Sequence, residues 1–236
     1  MDPKARLIVA LDVDSLDDAR RLVEALAPHA GVFKIGSTLF TREGPRACQV
    51  VKEAGARLFL DLKYHDIPNQ VAGAVRAALA LGCDMLTLHA SGGAEMIRAA
   101  RREVDRAGRA DVILLAVTVL TSFAGEAFAS LFQSRRGAED TVAAFAKMAR
   151  EAGATGVVAS AREARLVKSH AGADLVVVTP GIRLPGAEAD DQVRVLTPEA
   201  AIAAGADYLV VGRPIVAAPD PAQAARAFLD RIGAAR

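Results

Sequence analysis

Aromatic side chains make up only 4% of this sequence, tryptophan is absent, and there are two cysteines. Cys48 and Cys83 stand alone, without a CxxC or a neighbouring histidine cluster, so neither a disulfide framework nor a zinc site is expected. They read as reduced thiols that pack like small hydrophobes, which favours a cytoplasmic location. An excess of one charge is missing too, with 29 basic against 28 acidic residues. No run of Lys and Arg interleaved with aromatics offers a nucleic-acid footprint, and a small partner is expected instead. The opening "MDPKARLIVALDVDS" has an apolar core too short to span a membrane and carries no signal-peptide cleavage pattern, and no later stretch runs to eighteen apolar residues. A soluble chain without membrane partners is the expectation.

What the sequence does have is bulk and apolarity: 236 residues, 52% of them hydrophobic, enough to bury one large core. No Pro/Ser linker divides it, so residues 1–236 are expected to form a single domain. Short β-rich runs alternate with segments of helical period. "LIVALD", "VFKIG", "RLFLDLK", "DMLTLHA", "VILLAVTVL", "TGVVAS", "LVVVTP" and "DYLVVG" are continuous in their hydrophobicity, as strands buried on both faces are. Between them lie amphipathic segments such as "SLDDARRLVEALAP" and "TVAAFAKMAREAG", several closed by a glycine just past the helix end. Eight β/α units in this length predict a closed parallel (β/α)8 barrel, the TIM barrel, with an open doubly wound α/β sheet as the alternative.

In such barrels the chemistry sits at the C-terminal ends of the strands. Charge collects there in this sequence: Asp12 after the first strand, Lys34 in the second, Asp61 and Lys63 in the third, His89 at the end of the fourth and Arg213 after the eighth. Any one of these is as readily a solvated loop residue or half of a structural ion pair. Asp12, Lys34, Asp61, Lys63 and Asp66 converging on one mouth would need mutual pairing to offset their desolvation, and that makes a site. Within "DLKYHD", strand alternation puts Asp61 and Lys63 on one side and Leu62 on the other, with Asp66 in the loop beyond. Flanking carboxylates favour the ammonium form of a lysine, which makes it an acid and not a nucleophile. The same carboxylates would repel an anionic substrate group and lose that repulsion once the group departs as neutral CO2, so the array suits decarboxylation.

The stretch "DLKYHDIPN" resembles the signature of the orotidine 5′-phosphate decarboxylase family. "ALD", "FKIG", "VTVLTS", "TPGIR", "DDQVR" and "VVGRPI" resemble further segments of that family in its usual order, across almost the whole chain. The resemblance implies a cofactor-free, metal-free decarboxylase that makes UMP, acting as a homodimer. It implies that Lys63 protonates C6 of the pyrimidine, with Lys34, Asp61 and Asp66 completing the charged array and Asp66 reaching across the dimer. It places Asp12 and Lys34 on ribose hydroxyls, Thr121 on the pyrimidine amide edge, and Ile67, Pro68 and Gln70 among the substrate-binding residues. Gln70 stands where the family commonly has Thr, which puts that one contact in question.

The phosphate site implied by the resemblance falls on Arg183, Gln192, Gly212 and Arg213, and the long connection Pro180–Val195 reads as a lid carrying Gln192. His65 and His89 have no paired ligand spacing and are expected to be structural or to support the site from behind. Three other classes remain open at this point. A Mg²⁺-dependent lyase on a sugar phosphate would share the barrel, the DxKxxD array and the phosphate site but not the "TPGIR" and "DDQVR" pattern. A Schiff-base aldolase would need a lysine of lowered pKa, the opposite of what flanking carboxylates produce. A non-catalytic nucleotide-binding barrel would not need the charged array.

Overall fold

The computed structural model describes residues 2–121, 128–130, 137–185 and 196–235. Eight parallel strands close on one another in sequence order: β1 (Leu7–Ala10), β2 (Val32–Gly36), β3 (Arg57–Tyr64), β4 (Met85–His89), β5 (Ile113–Val117), β6 (Gly156–Val158), β7 (Val176–Thr179) and β8 (Tyr208–Val211). Since β8 pairs with β1, Ile8 standing opposite Val210, the sheet is a barrel and the open doubly wound alternative is excluded.

The continuous hydrophobicity of the strands resolves into two alternating sets. Leu7, Val9, Phe33, Ile35, Leu58 and Leu60 face outward into the layer shared with the helices. Ile8, Val32, Phe59, Met85, Leu115, Val178 and Tyr208 face inward and fill the barrel's interior as a separate cluster. Each such side chain, once fully buried, contributes about 1.5–3 kcal/mol. The inward series then changes character along β2, β3 and β4: past the apolar layer come Lys34, Asp61 and Thr87, while β1 offers only the small Ala10. One end of the barrel is thereby plugged and the other is polar.

The helices follow from equally local causes. Ser15 caps the helix Leu16–Leu26 by accepting from the Asp18 N–H at 3.1 Å, acidic Asp17 and Asp18 sit in the first turn, and Ala19, Leu22, Val23 and Leu26 form the buried stripe at helical spacing. The helix Pro68–Ala80 starts on a proline and buries Val71, Val75, Ala78 and Leu79. Gly82 follows it at φ +73°, where an L side chain is disfavoured. Both cysteines are buried and free, and burial pushes the Cys48 thiol up to about 11 and the Cys83 thiol up to about 12, in keeping with packing roles.

One strand departs from the expected regularity. Leu60 of β3 pairs with Leu86 of β4, but the next pair is Tyr64 with Leu88, so four residues of one strand advance against two of the other. Lys63 lies inside this bulge with φ +51°, the one non-glycine residue at positive φ among the described residues. Simple alternation therefore does not set the Asp61–Lys63 relation, as the sequence reading supposed. A local kink does.

Candidate active site

The polar end of the barrel opens into a cavity of about 380 Å³. Asp12, Lys34, Asp61, Lys63, Thr121, Arg183, Gly212 and Arg213, all named from sequence, line it together. Four of them form a chain of alternating charge. Lys34 Nζ lies 3.1 Å from Asp12 Oδ1 and 3.6 Å from Asp61 Oδ2, and Lys63 Nζ lies 2.9 Å from the same Asp61 oxygen. The Asp61 and Lys34 side chains are each only 10% exposed, whereas Lys63 is 37% and Asp12 53% exposed. The buried pair thus sits at the centre and the accessible members at the ends, and the formal charges of the four cancel.

Burial alone would raise the Asp61 carboxyl. The Lys34 and Lys63 ammoniums, with hydrogen bonds from Lys63 and from the Thr87 hydroxyl (2.9 Å to Oδ1), outweigh it and hold the group below the usual carboxylate range. Asp61 is accordingly a carboxylate with both oxygens engaged. His89 stacks at 5.3 Å, tilted 35°, against the His65 ring. Its pKa is lowered first by burial and then by His65 and the Lys63 ammonium, so it faces the array as a neutral imidazole at neutral pH. Among the described residues, no three His, Cys, Asp or Glu side chains are grouped to hold a metal ion, and no helix is long and apolar enough to cross a membrane.

The far wall of the cavity is cationic. Arg183 is almost wholly buried, its Nη1 donating to the Ile182 carbonyl at 3.1 Å, while Arg213 opens a short helical turn after β8 and is exposed. Backbone bonds from Arg183 N to Leu196 O (3.1 Å) and from Leu196 N to Gly181 O (3.4 Å) fix the two ends of the connection after β7. Gln192 and residues 186–195 of the expected lid lie outside the described residues.

Asp66, Ile67, Pro68 and Gln70 are not brought into this cavity. They are exposed beyond β3, and Asp66 and Gln70 line a separate shallow groove with Leu62, Tyr64, His65 and Lys63. Lys63 borders both spaces. Asp66 Oδ1 accepts from the Ile67 N–H at 2.6 Å, which turns the carboxylate onto its own loop.

Two supporting residues escaped the sequence reading. Thr87, fully buried, holds Asp61; its signal was a lone hydroxyl at an inward position of the apolar run "MLTLH". Gly36, in the quoted "FKIG", leaves the space that the Lys34–Asp12 pair fills: a Cβ there would lie 3.0 Å from Lys34 Nζ and 3.1 Å from Asp12 Oδ1.

Residues 5–228 match the family model described as "Orotidine 5'-phosphate decarboxylase / HUMPS family". The chain belongs to this family. Among its relatives is the orotidine 5'-phosphate decarboxylase of Moorella thermoacetica, 50% identical over 98% of this chain and 94% of that one. That of Legionella pneumophila is 47% identical over 97% and 99%. The crystal structure of orotidine 5'-phosphate decarboxylase from Lactobacillus acidophilus superposes with a TM-score of 0.85 at 36% identity, covering 98% of this chain and 100% of that one. An uncharacterized conserved protein from Geobacillus kaustophilus gives 0.84 at 34% identity over 96% and 99%. Family membership and the barrel agree with what the motifs implied.

Proposed function

We propose that this protein converts orotidine 5′-phosphate to UMP and CO2 in de novo pyrimidine biosynthesis, without a cofactor or metal, as a cytoplasmic single-domain enzyme. The observation that carries the proposal is the Lys63–Asp61 contact of 2.9 Å at one side of a cavity whose other side presents Arg183 and Arg213. A cationic wall holds the phosphate. The charged array takes the far end of the nucleotide.

In this reading Asp61 lies beside the substrate carboxylate, and their repulsion is relieved when the C6–CO2 bond breaks. The bonding pair stays on C6 and receives a proton from the Lys63 ammonium, and solvent reprotonates the lysine. Lys34 separates Asp12 from Asp61, which leaves Asp12 and Lys34 at the ribose hydroxyls. Thr121 reads the pyrimidine edge, where charge develops in the transition state. Arg183, Gln192, Gly212 and Arg213 form the phosphate grip, the arginines supplying fork-shaped donors. Asp66, with Ile67, Pro68 and Gln70, completes the site of a second subunit in a homodimer. Two observations favour that assignment: these residues lie outside their own cavity, and Ile67, 64% exposed, is the one large exposed hydrophobic among the described residues.

The test is direct. Purified protein mixed with orotidine 5′-phosphate in the presence of chelator should abolish the orotidylate absorbance band and yield UMP. Persistence of the band with and without added Mg²⁺ overturns the proposal, and loss of the band only on adding Mg²⁺ overturns its metal-free part.

A further inference from the structure

Thr87 makes two hydrogen bonds that tie together the two ends of one catalytic pair. Its hydroxyl donates to Asp61 Oδ1 at 2.9 Å and accepts from the backbone N–H of Lys63 at 3.0 Å. Asp61 Oδ2 in turn receives the Lys63 ammonium at 2.9 Å. These three hydrogen bonds and the lysine's own side chain close a ring through four groups: Lys63 backbone, Thr87 hydroxyl, Asp61 carboxylate, Lys63 ammonium.

The ring matters because of where the backbone is strained. A lysine at φ +51° sits in a region disfavoured for residues with a Cβ, and such a conformation persists only where its surroundings fix it. Had β3 and β4 kept the register of Leu60 with Leu86, Leu62 would oppose Leu88 and Lys63 would oppose His89. Instead Tyr64 takes the place opposite Leu88, and the Lys63 N–H finds a side-chain acceptor in Thr87.

The hydroxyl also has a direction. It carries one proton, and giving it to Asp61 requires an unprotonated oxygen there. Thr87 therefore favours the carboxylate that the array uses.

We propose that Thr87 is a positioning residue for the decarboxylation proposed above, holding Asp61 by its hydroxyl and the left-handed turn of Lys63 by its oxygen. Thr87 does not line the cavity and makes no substrate contact in this reading. The titratable and charged groups around Asp61 are Asp12 after β1, Lys34 on β2, Lys63 on β3 and His89 on β4, the last stacked against His65.

The test compares Thr87→Val, which keeps the shape and loses the hydroxyl, with Thr87→Ser, which restores it. For the valine variant kcat should fall by about 10- to 100-fold, the loss expected for one hydrogen bond to a charged group, with KM changed less than about threefold. The acid limb of its kcat/KM profile should move to higher pH, because Asp61 loses a donor. The serine variant should stay within about threefold of wild type on every measure.

A second readout needs no substrate: amide hydrogen exchange at Lys63 should accelerate at least about tenfold in Thr87→Val and not in Thr87→Ser. Thr87→Ala takes the place of the valine variant should that one fail to fold. An active wild type with unchanged kcat, pH profile and Lys63 exchange in Thr87→Val overturns the inference alone. A wild type that leaves orotidine 5′-phosphate intact overturns the proposed function, and the exchange measurement still decides whether Thr87 holds the Lys63 turn.

Discussion

The ammonium of Lys34 fills the space that a side chain on Gly36 would need: a Cβ there would approach Nζ to 3.0 Å. Gly36 has φ −94°, so nothing in its backbone demands glycine, and the obstructing atoms, Lys34 Nζ and Asp12 Oδ1, are the tips of side chains. Gly36→Ala should therefore fold with a melting temperature within a few degrees of wild type while displacing Lys34 from Asp12 and Asp61. A loss of about tenfold or more in kcat/KM is expected, equivalent to about 1.4 kcal/mol of transition-state stabilisation. Steady-state assay beside a thermal melt checks it, and unchanged kcat/KM would mean that Lys34 finds an equally good position.

The two arginines should behave differently on removal. Arg213 is exposed, and its loss should spare the fold, whereas Arg183 is almost wholly buried and Arg183→Ala should also destabilise the region after β7. Arg213→Ala should lower kcat/KM for the full nucleotide by on the order of 10²-fold or more, because binding energy from the unreactive phosphate is realised in the transition state. Orotidine lacking the phosphate should barely distinguish mutant from wild type. Equal losses on both substrates would assign Arg213 to the fold or the chemistry.

Acid should erode the stability that His89 and Asp61 contribute in two separate windows. His89 has a pKa below its ordinary 6.5, chiefly through burial, so the folded state binds that proton less readily than the unfolded one. Its contribution is complete above about 6.5 and is lost as pH falls through the lowered value. For Asp61, whose burial is outweighed by Lys34 and Lys63, the same sign applies from about 3.8 downward. Thermal melts from pH 7 to 3 should show His89→Gln flattening the first window only. The gap between wild type and Asp61→Asn should narrow only below about pH 4, and a gap that closes near pH 6 would contradict the ionised state assigned to Asp61.

Complementation tests whether the site is shared between subunits. Lys63→Ala should lose at least the 10²–10⁴-fold typical of a general acid, and Asp66→Asn should also be severely impaired. If Asp66 acts in trans, mixing the two gives heterodimers with one doubly defective and one intact site, and activity should return toward about half per heterodimer. Subunits that exchange without recovery would place Asp66 at its own barrel, against its exposed position beyond β3.

Much of this was legible in the sequence for a physical reason. Strands buried on both faces read as continuous apolar runs, and a polar residue at the end of such a run has only the barrel mouth to occupy, which is why Asp12, Lys34, Asp61 and Arg213 meet in one cavity. Arg183 and Thr121 lie on connections and were reached through their motifs. The bulge at Lys63 was not legible, since counting along β3 assumes a regular strand and the two extra residues show only against β4. Thr87 escaped for a related reason: threonine is common in strands, and only the partner strand reveals what its hydroxyl holds. Gly36 was quoted as part of a motif, but its use is an absence of atoms, visible once Lys34 is placed.

The apolar layer of Ile8, Val32, Phe59, Met85, Leu115, Val178 and Tyr208 closes the barrel interior at one end, so that among the described residues the cavity opens at the other. Two products formed inside must share that exit. Carbon dioxide is small and uncharged and can slip past a seated nucleotide, whereas the phosphate grip proposed above would keep the nucleotide anchored. With that grip, departure is expected to be sequential, gas first and UMP last, leaving the free enzyme as the form that both UMP and substrate seek. UMP should then inhibit competitively against orotidine 5′-phosphate, and added CO2 should not.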